Sequence, residues 1–512
     1  MGTEAVVIGD GPLSTAEVVA VARHGAPVHI DPQAVRRIER SRSRVEDHVG
    51  DERPVYGITT GFGALAGVRI APDDLDRLQA NLIRSHAAGA GPPLPPEVVR
   101  AMILLRARAL AAGYSGVRPV VVERLTDLLN HGIVPEVPSR GSVGASGDLA
   151  QLAHVALCLM GQGNVLSAGD TASAAAAFHQ AGLEPVTLRA KEGLALVNGT
   201  EGMLALGMLA HHDAGLLLRT ADVTAAVTVE GALGTDRPFA EDLMALRPHP
   251  GQADSAANLR ALLAGSAITA SHRESPHAVQ DPYSMRCAPQ VHGAARDAHA
   301  YAGDVLAREA GSVVDNPVVL PDGRVESTGN FHGEPLAYAM DLLAEALTGL
   351  ASIAERRTYW LLGSGEERGL PPFLSTEAGL GSGYMLAQYT QAALVAECRL
   401  LASPAGVESI PTSGNQEDHV SMGWLAGLKL RDIVEKVRTV LAIEAICGAQ
   451  AVDLRAPLEA AAGTRAAVAA VRKAVPFLEH DREVAADVAA AEELVADGAP
   501  VRAVEEAVGE LR

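Results

Sequence analysis

The sequence predicts a mainly α fold: a large bundle of long helices with a smaller N-terminal mixed α/β region. Three observations lead there. Ala, Leu and Val dominate a chain that is 48% hydrophobic and only 3% aromatic, a composition that suits packed helices better than β-sandwiches. Long stretches carry helical periodicity without a proline, as from Glu417 to Leu454. These stretches alternate with polar loops rich in Gly and Pro, with no internal repeat, linker or break in composition. The 512 residues are expected to form one continuous globular unit. Residues 1–200 make an N-terminal region with two glycine-rich loops, and residues 201–512 make the central bundle and the C-terminal helices.

Taken in order, Ala5 to Ile8 reads as a short strand, Thr15 to His24 as a helix, and Val28–Ile30 as a second strand. Pro32 to His48 is a charged helix. Arg53-Pro-Val-Tyr-Gly-Ile-Thr-Thr-Gly-Phe-Gly63 is a loop, since three glycines and a proline fall within it. Its Gly61-Phe-Gly63 lacks the context and spacing of a dinucleotide fingerprint. Asp73 to Ala88 is a helix whose Leu75, Leu78, Leu82 and His86 share one face. On that pattern alone His86 is a core histidine. Helices over Pro95–Ala112 and Pro119–His131 precede the second glycine-rich loop, and Asp148 to Met160 is the helix after it. Gly161-Gln-Gly-Asn164 is a stop.

A single apolar helix is predicted from Gly193 to Leu233. Shorter helices follow near Phe239–Leu246 and Ser255–Ser266, then a polar stretch ending in Val279-Gln-Asp-Pro-Tyr-Ser-Met-Arg-Cys-Ala-Pro-Gln290. Tyr283 and Arg286 would share a face if that stretch is helical. Val313 to Glu326 reads as a small hairpin turning at Pro-Asp-Gly. Asn330-Phe-His-Gly-Glu-Pro335 leads into a helix reaching Leu362, and another spans Gly383–Ala402. Pro411 to Met422 is the last polar cluster, and the Ala-rich remainder is helical.

Composition also excludes functions. With 42 basic against 62 acidic residues the net charge is −20, so neither nucleic acid nor an anionic membrane surface is a partner. The four cysteines, Cys158, Cys287, Cys398 and Cys447, lie far apart with no metal-ligand or redox spacing, which fits buried residues in a reducing cytoplasm. No metal is expected. The N-terminus lacks a signal-peptide pattern, and no stretch has about 20 uninterrupted apolar residues.

The chemistry concentrates at Gly141-Ser-Val-Gly-Ala-Ser-Gly-Asp-Leu-Ala150. As structure alone this is a loop entering a helix, with Asp148 supplying the charge a helix start favours. As chemistry it is more. Ser146 sits between Ala145 and Gly147, which scarcely resist a tight turn. Under compression the nitrogen of Gly147 can attack the carbonyl carbon of Ala145. Loss of two waters then leaves Ser146 as an exocyclic alkene, an electrophile made from the chain itself.

Other polar residues stand out against apolar surroundings: Tyr56, His86, Asn198, Tyr283 with Arg286, Phe331 with His332, and Glu417. Buried, Asn198 needs partners. Together with the Ala-Ser-Gly loop, these segments resemble the aromatic amino acid lyase family, whose members use a 4-methylidene-imidazol-5-one (MIO) group made from Ala-Ser-Gly. Matching stretches run along nearly the whole chain in the family's order and spacing. They include Val-Tyr-Gly-Ile-Thr-Thr-Gly-Phe-Gly, Ser-His-Ala-Ala-Gly, Lys-Glu-Gly-Leu-Ala-Leu-Val-Asn-Gly-Thr, Gln-Asp-Pro-Tyr-Ser-Met-Arg-Cys, Asp-Asn-Pro, Gly-Asn-Phe-His and Asn-Gln-Glu-Asp-His-Val-Ser-Met. Ser85-His86 and Glu417 match the histidine-acting branch. An imidazole needs a charge-complementary acceptor, whereas a phenyl ring would leave a buried carboxylate unpaired. Three positions depart from the commonest pattern: Thr59 stands in place of Asn, Gly414 of Ala and Glu201 of Gln.

The resemblance implies elimination of ammonia from L-histidine to give trans-urocanate. It implies an MIO group formed from Ala145, Ser146 and Gly147, with no external cofactor. The electrophile takes up the α-amine or, in an older proposal, the aromatic ring. By the same resemblance Tyr56 is the base for the β-proton, on a loop that acts as a lid. Phenols are weak bases at neutral pH, so nearby positive charge or helix N-termini would have to assist. Tyr283 orders the MIO group and the amine, and Arg286 clamps the carboxylate. Asn198 holds the MIO group or the carboxylate. His86 and Glu417 hold the imidazole, Phe331 walls the pocket, and Gln280 and Asn316 are supporting donors. A homotetramer with each active site built from three subunits is also implied. The alternatives on this scaffold are a tyrosine or phenylalanine lyase, or a 2,3-aminomutase. A non-catalytic relative would be expected to have lost Ser146, Tyr56 or Tyr283. A serine hydrolase would need a Gly-x-Ser-x-Gly elbow around Ser146, and a pyridoxal enzyme would need a phosphate-cradling loop near Lys191.

Overall fold

Helix Pro96–Ala111 is apolar on every side, and from Val98 onward all but Arg100 are buried. A helix of that kind must be surrounded. Helices Thr15–His24 and Pro119–Asn130 pack against it, and Pro96 and Pro119 each begin a helix where a missing N–H costs nothing. Two of its charged residues, Arg106 and Arg108, are buried as well. Arg108 spends its guanidinium on the backbone carbonyls of Asp10, Gly11, Gly311 and Ser312.

The computed structural model describes residues 4–49, 55–167, 170–274 and 279–512. The first two residues of the loop beginning at Arg53 lie outside the described residues, as do residues 1–3. The chain divides into two units. The first comprises Met1–Leu209, Gly303–Asp341 and Pro404–Leu428, and the second comprises Ala210–Ala302, Leu342–Ser403 and Lys429–Arg512.

The first unit carries four two-stranded sheets among the described residues. Val6–Ile8 pairs in parallel with Val28–Ile30, as the alternating burial of the short N-terminal strands suggests. The predicted hairpin is present as Val318–Val319 with Val325–Glu326. Two further pairs are new: Ala90–Pro93 with Pro138–Arg140, and Asn164–Ser167 with Asp170–Ser173. Their sequences hold prolines or lack alternation, so no period-2 signal marks them.

Three short helices define the working end of this unit. Leu75–His86, Leu149–Leu159 and Glu192–Val197 pack mutually. Buried Gln79 accepts the Leu194 N–H at 3.1 Å, which ties the first to the third. The predicted single helix from Gly193 to Leu233 is corrected here. It is two helices, Glu192–Val197 and Glu201–Gly231, broken at residues 198–200. The break has a tertiary cause. The Asp148 N–H donates to the Gly199 carbonyl at 2.8 Å, and Gly147 and Gly199 form an isolated parallel bridge. The buried Asp148 carboxyl then accepts the Met203 N–H at 2.7 Å and the Ser142 hydroxyl at 3.0 Å. One of the orphan donors that begin Glu201–Gly231 is thereby satisfied by another part of the chain.

The second unit is helical throughout its described secondary structure. Its interior holds a fully buried ion pair, Arg357–Glu444, and a fully buried hydrogen bond at 2.7 Å between His292 Nδ1 and the Asp222 carboxylate. Burial alone would push the Asp222 carboxyl up. Hydrogen bonding and charge from His292 and Arg296 instead hold it down at about 2. Helix Glu334–Gly363 is long and apolar enough to cross a membrane, but 67% of its apolar window is buried inside the protein, as befits a core helix.

Burial pushes the Asp148 carboxyl up to about 7 from its ordinary 3.8, against the hydrogen bonds from Met203 and Ser142. The unfolded chain therefore ionises this group before the folded one does. Stability present below pH 4 is lost as pH rises toward 7, and no further loss follows above that. Asp148→Asn cannot titrate, so the melting temperature of the unsubstituted protein should fall relative to the variant between pH 4 and 7. A difference that stays constant across that window would contradict this assignment.

Candidate active site

The Ala-Ser-Gly loop is backbone-compressed. Ser146 has φ +53° and Gly147 φ +80°, both left-handed. The first is uncommon for a residue with a side chain. A Cβ on Gly147 would collide with the Gly199 carbonyl, and one on Gly199 would collide with the Glu201 carboxylate and the Arg106 guanidinium. Two chain segments thus meet with hydrogen-sized clearance, and Ser146 is left half-buried beside a cavity of about 520 Å³.

Tyr56, His86, Ser146, Asn198, Asn316 and Glu417 all line this cavity, within walls that are largely apolar. Each is delivered by its own element. Tyr56 sits on the glycine-rich loop, whose Thr59 hydroxyl accepts the Val55 N–H at 2.9 Å and whose Gly63 N–H donates to the Tyr56 hydroxyl at 3.3 Å. The substitution to Thr59 therefore keeps a polar tie within the loop. His86 ends helix Leu75–His86, half-buried rather than in the core. Burial holds its imidazole below its ordinary value, against a backbone hydrogen bond at Leu82 and the charge of Glu417.

Glu417 closes a short loop. Thr412 and Glu417 pair through their backbones, and the Thr412 hydroxyl donates to the Glu417 carboxylate at 2.8 Å. Ser413, Gly414 and Asn415 between them all have positive φ. Gly414, at φ +62°, takes that conformation without the Cβ strain an alanine would meet. The turn Gly63–Leu65 packs against Ser413–Asn415, which brings the loops of Tyr56 and Glu417 together.

Behind the cavity lies a buried charge cluster that motif reading did not find. Arg106 pairs with Glu201 at 2.7 Å and Lys191 with Asp315 at 2.8 Å, all four side chains almost wholly buried. Burial pushes Glu201 up and Lys191 down, and each partner opposes the shift. Glu201 is thus compensated by Arg106 rather than left as added charge near Asn198. The Asn198 amide donates to the Asn316 carbonyl at 2.8 Å. Asp315 and Lys191 were visible only as parts of Asp-Asn-Pro and Lys-Glu-Gly; nothing in spacing alone paired residues so far apart in sequence.

The structure does not bring the whole predicted set together. Phe331 is half-buried and does not line this cavity. Gln280, Tyr283 and Arg286 belong to the second unit. There Tyr283 begins a one-turn helix, is 72% exposed, and has the Arg286 guanidinium 4.6 Å from its ring centre. Arg286 also donates to Gln280 at 3.0 Å. Among the described residues no Lys or Arg lines the cavity of the first unit.

A model of the family described as aromatic amino acid lyase matches residues 13–473, and the chain belongs to that family of carbon–nitrogen lyases. Its relatives narrow the comparison. The histidine ammonia-lyase of Sorangium cellulosum strain So ce56 is 53% identical over 509 residues, covering 98% of this chain and 99% of that one. Among solved structures, histidine ammonia-lyase from Trypanosoma cruzi matches with a TM-score of 0.91 at 39% identity, over 98% of this chain and 96% of its own. Tyrosine aminomutase from Streptomyces globisporus matches with a TM-score of 0.94 at 37% identity, over 99% and 100%.

The contact between Gly147 and Gly199 yields a direct test. Gly147→Ala should keep the full encoded mass by intact mass spectrometry, because its methyl group prevents the close approach. The unsubstituted protein should run two waters lighter. Equal mass deficits in both proteins would show that the loop does not depend on that contact.

Proposed function

We propose that this chain eliminates ammonia from L-histidine to give trans-urocanate, with an MIO electrophile formed from Ala145, Ser146 and Gly147. The observation that carries the reading is the juxtaposition of His86 and Glu417 with Tyr56 and Ser146 in one cavity. The relatives named histidine ammonia-lyase agree with it. The compressed backbone at Ser146 and Gly147 fits the group, since cyclisation needs such a turn. When formed, MIO supplies an electrophilic alkene that makes the α-amino nitrogen a better leaving group.

The residues divide the remaining work. Tyr56 takes the β-proton at its phenol oxygen, which already accepts the Gly63 N–H. His86, whose imidazole burial holds below its ordinary value, and the Glu417 carboxylate hydrogen-bond the imidazole of the substrate. A phenyl ring would bring the Glu417 carboxylate no N–H beyond the Thr412 hydroxyl it already accepts, whereas an imidazole supplies one. Asn316 supports the lining. The loop bearing Tyr56 serves as a lid, its opening admitting substrate. Four free cysteines suit a cytoplasmic enzyme.

A carboxylate-bearing substrate needs a cation, and the cavity offers no Lys or Arg among its described lining residues. Arg286, with Tyr283 and Gln280, is the expected source, contributed by another copy of the chain in a homotetramer whose active sites each draw on three subunits. Phe331 joins the wall of the completed site.

A tyrosine or phenylalanine lyase, or an aminomutase, is the second reading, favoured by the likeness to tyrosine aminomutase. Incubation with L-histidine, L-tyrosine and L-phenylalanine in parallel separates the readings. Urocanate should form from histidine, be lost in Ser146→Ala, and drop about 10²–10⁴-fold in Tyr56→Phe. Glu417→Gln should impair histidine turnover far more than any residual phenylalanine turnover. Product from tyrosine or phenylalanine alone would overturn the substrate assignment.

Shared sites predict complementation. Ser146→Ala and Arg286→Ala proteins, each inactive, should regain part of the activity when unfolded and refolded together. A mixture as inactive as its components would count against shared sites.

A further inference from the structure

Two histidines and a glutamate meet at the start of helix Glu334–Gly363, outside the set assigned above. His332, Glu334 and His419 each offer one donor atom, and these atoms lie within 4.8 Å of one another. His332 follows Phe331, and His419 comes two residues after Glu417. The polarity of the His332 ring is fixed by its surroundings. Its Nε2 lies 3.2 Å from the His419 carbonyl oxygen, which can only accept, so Nε2 carries the proton. Nδ1 is left with a lone pair, and it faces Glu334 Oε2 at 4.0 Å. That distance is too long for a hydrogen bond, and Oε2 has no other hydrogen-bond partner. The His332 and His419 rings lie nearly parallel, 5° apart, with centres separated by 5.7 Å. Acceptor atoms thus converge with no donor among them, an arrangement that a cation between them would relieve.

Two imidazoles and one carboxylate suit a divalent transition-metal ion of the zinc type. Such an ion in tetrahedral geometry holds a nitrogen and an oxygen ligand about 3.4 Å apart. The 4.0 Å between His332 Nδ1 and Glu334 Oε2 therefore needs little closure. The His332 Nε2–H on a backbone carbonyl is also what a metal-bound imidazole ordinarily makes of its second nitrogen, since that bond sets the tautomer and orients the ring. His419 is exposed, so water can reach a fourth position. We propose that His332, Glu334 and His419 bind a divalent transition-metal ion, and that the ion pins the loop bearing Glu417 to the start of helix Glu334–Gly363. Its role is to hold that loop, whichever ring the cavity takes. The site replaces the expectation of no metal. His332 and His419 are 87 residues apart, so no local ligand spacing marks them.

Cobalt(II) and zinc(II) chlorides are the probes, added to intact protein first stripped with a chelator. Cobalt should bind with the visible absorption of a four- or five-coordinate site, and zinc should displace it. Zinc affinity, measured by calorimetry, should fall by more than about 100-fold in His419→Ala and in Glu334→Gln, beyond the cost of losing a hydrogen bond to a metal ligand. His480→Ala, which removes an exposed His–Glu contact elsewhere, should leave it unchanged. Zinc should also slow amide hydrogen exchange across residues 411–422 in the unsubstituted protein, and not in His419→Ala. Three results would each overturn the proposal: no binding at micromolar zinc, binding that survives both substitutions, and binding that leaves exchange in the loop unchanged. Melting in the presence of chelator shows whether each variant folds, and His332→Gln gives the same comparison where one does not.

Discussion

The backbone of Gly147 lies against that of Gly199, and most of what is distinctive in the first unit follows from that contact. Neither residue has a side chain to hold the segments apart. The Asp148 N–H and carboxyl then engage the Gly199 carbonyl and the Met203 N–H. Three results come from one approach: Ser146 is held at the cavity edge, the predicted helix is cut at residues 198–200, and Asn198 is freed from helical geometry to turn toward Asp315. Burying Asp148 is the energetic counterweight, visible in its raised pKa. Hydrogen bonds to its carboxyl offset that burial, so the loop is held by polar groups in a dry interior, where each bond is strong and each missing partner costly.

The electrostatics of this unit are arranged in pairs rather than as a field. Arg106 answers Glu201, Lys191 answers Asp315, and little net charge remains behind the cavity. Buried pairs of this kind contribute little to stability compared with apolar replacements, but removing one member leaves the other exposed to the full desolvation cost. Their return here is orientation. A carboxylate clamped by a lysine fixes the amide beside it, and that amide lines the cavity.

Much of the fold was legible from periodicity and punctuation. Thr15–His24 has the bounds predicted, with a Ser14–Glu17 capping box at one end and Gly25 in the left-handed conformation at the other. Pro96–Ala111 is one residue shorter than predicted at each end, and Pro119–Asn130 one residue shorter at its C-terminal end. The break at residues 198–200 was not legible, because Asn-Gly-Thr in an apolar run does not say that a distant loop will press on it. The strands at Ala90–Pro93 and Pro138–Arg140 have no alternation to detect. Of the site, Tyr56, His86, Ser146, Asn198, Asn316 and Glu417 were named from sequence and meet at one cavity. The motif that placed Tyr283 and Arg286 in the set could not say on which unit they would lie. The pairing of Lys191 with Asp315 was not legible, since a buried ion pair across such a separation has no local signature.

Gly202 extends the line begun by Gly147 and Gly199. A methyl group there would come within 2.6 Å of the Trp424 ring and 2.8 Å of Asp148, and the Trp424 indole is itself tied to the Ser139 carbonyl at 2.9 Å. For anyone redesigning the enzyme, the glycine contact and the cavity rim therefore have opposite tolerances. The contact, set by three glycines and a buried carboxyl, offers no room for retooling. The rim, where His86 ends a helix and Glu417 sits on a short, partly exposed turn, can be rebuilt residue by residue. New ring specificities should be sought there, with the Ala145-Ser146-Gly147 loop left as it is.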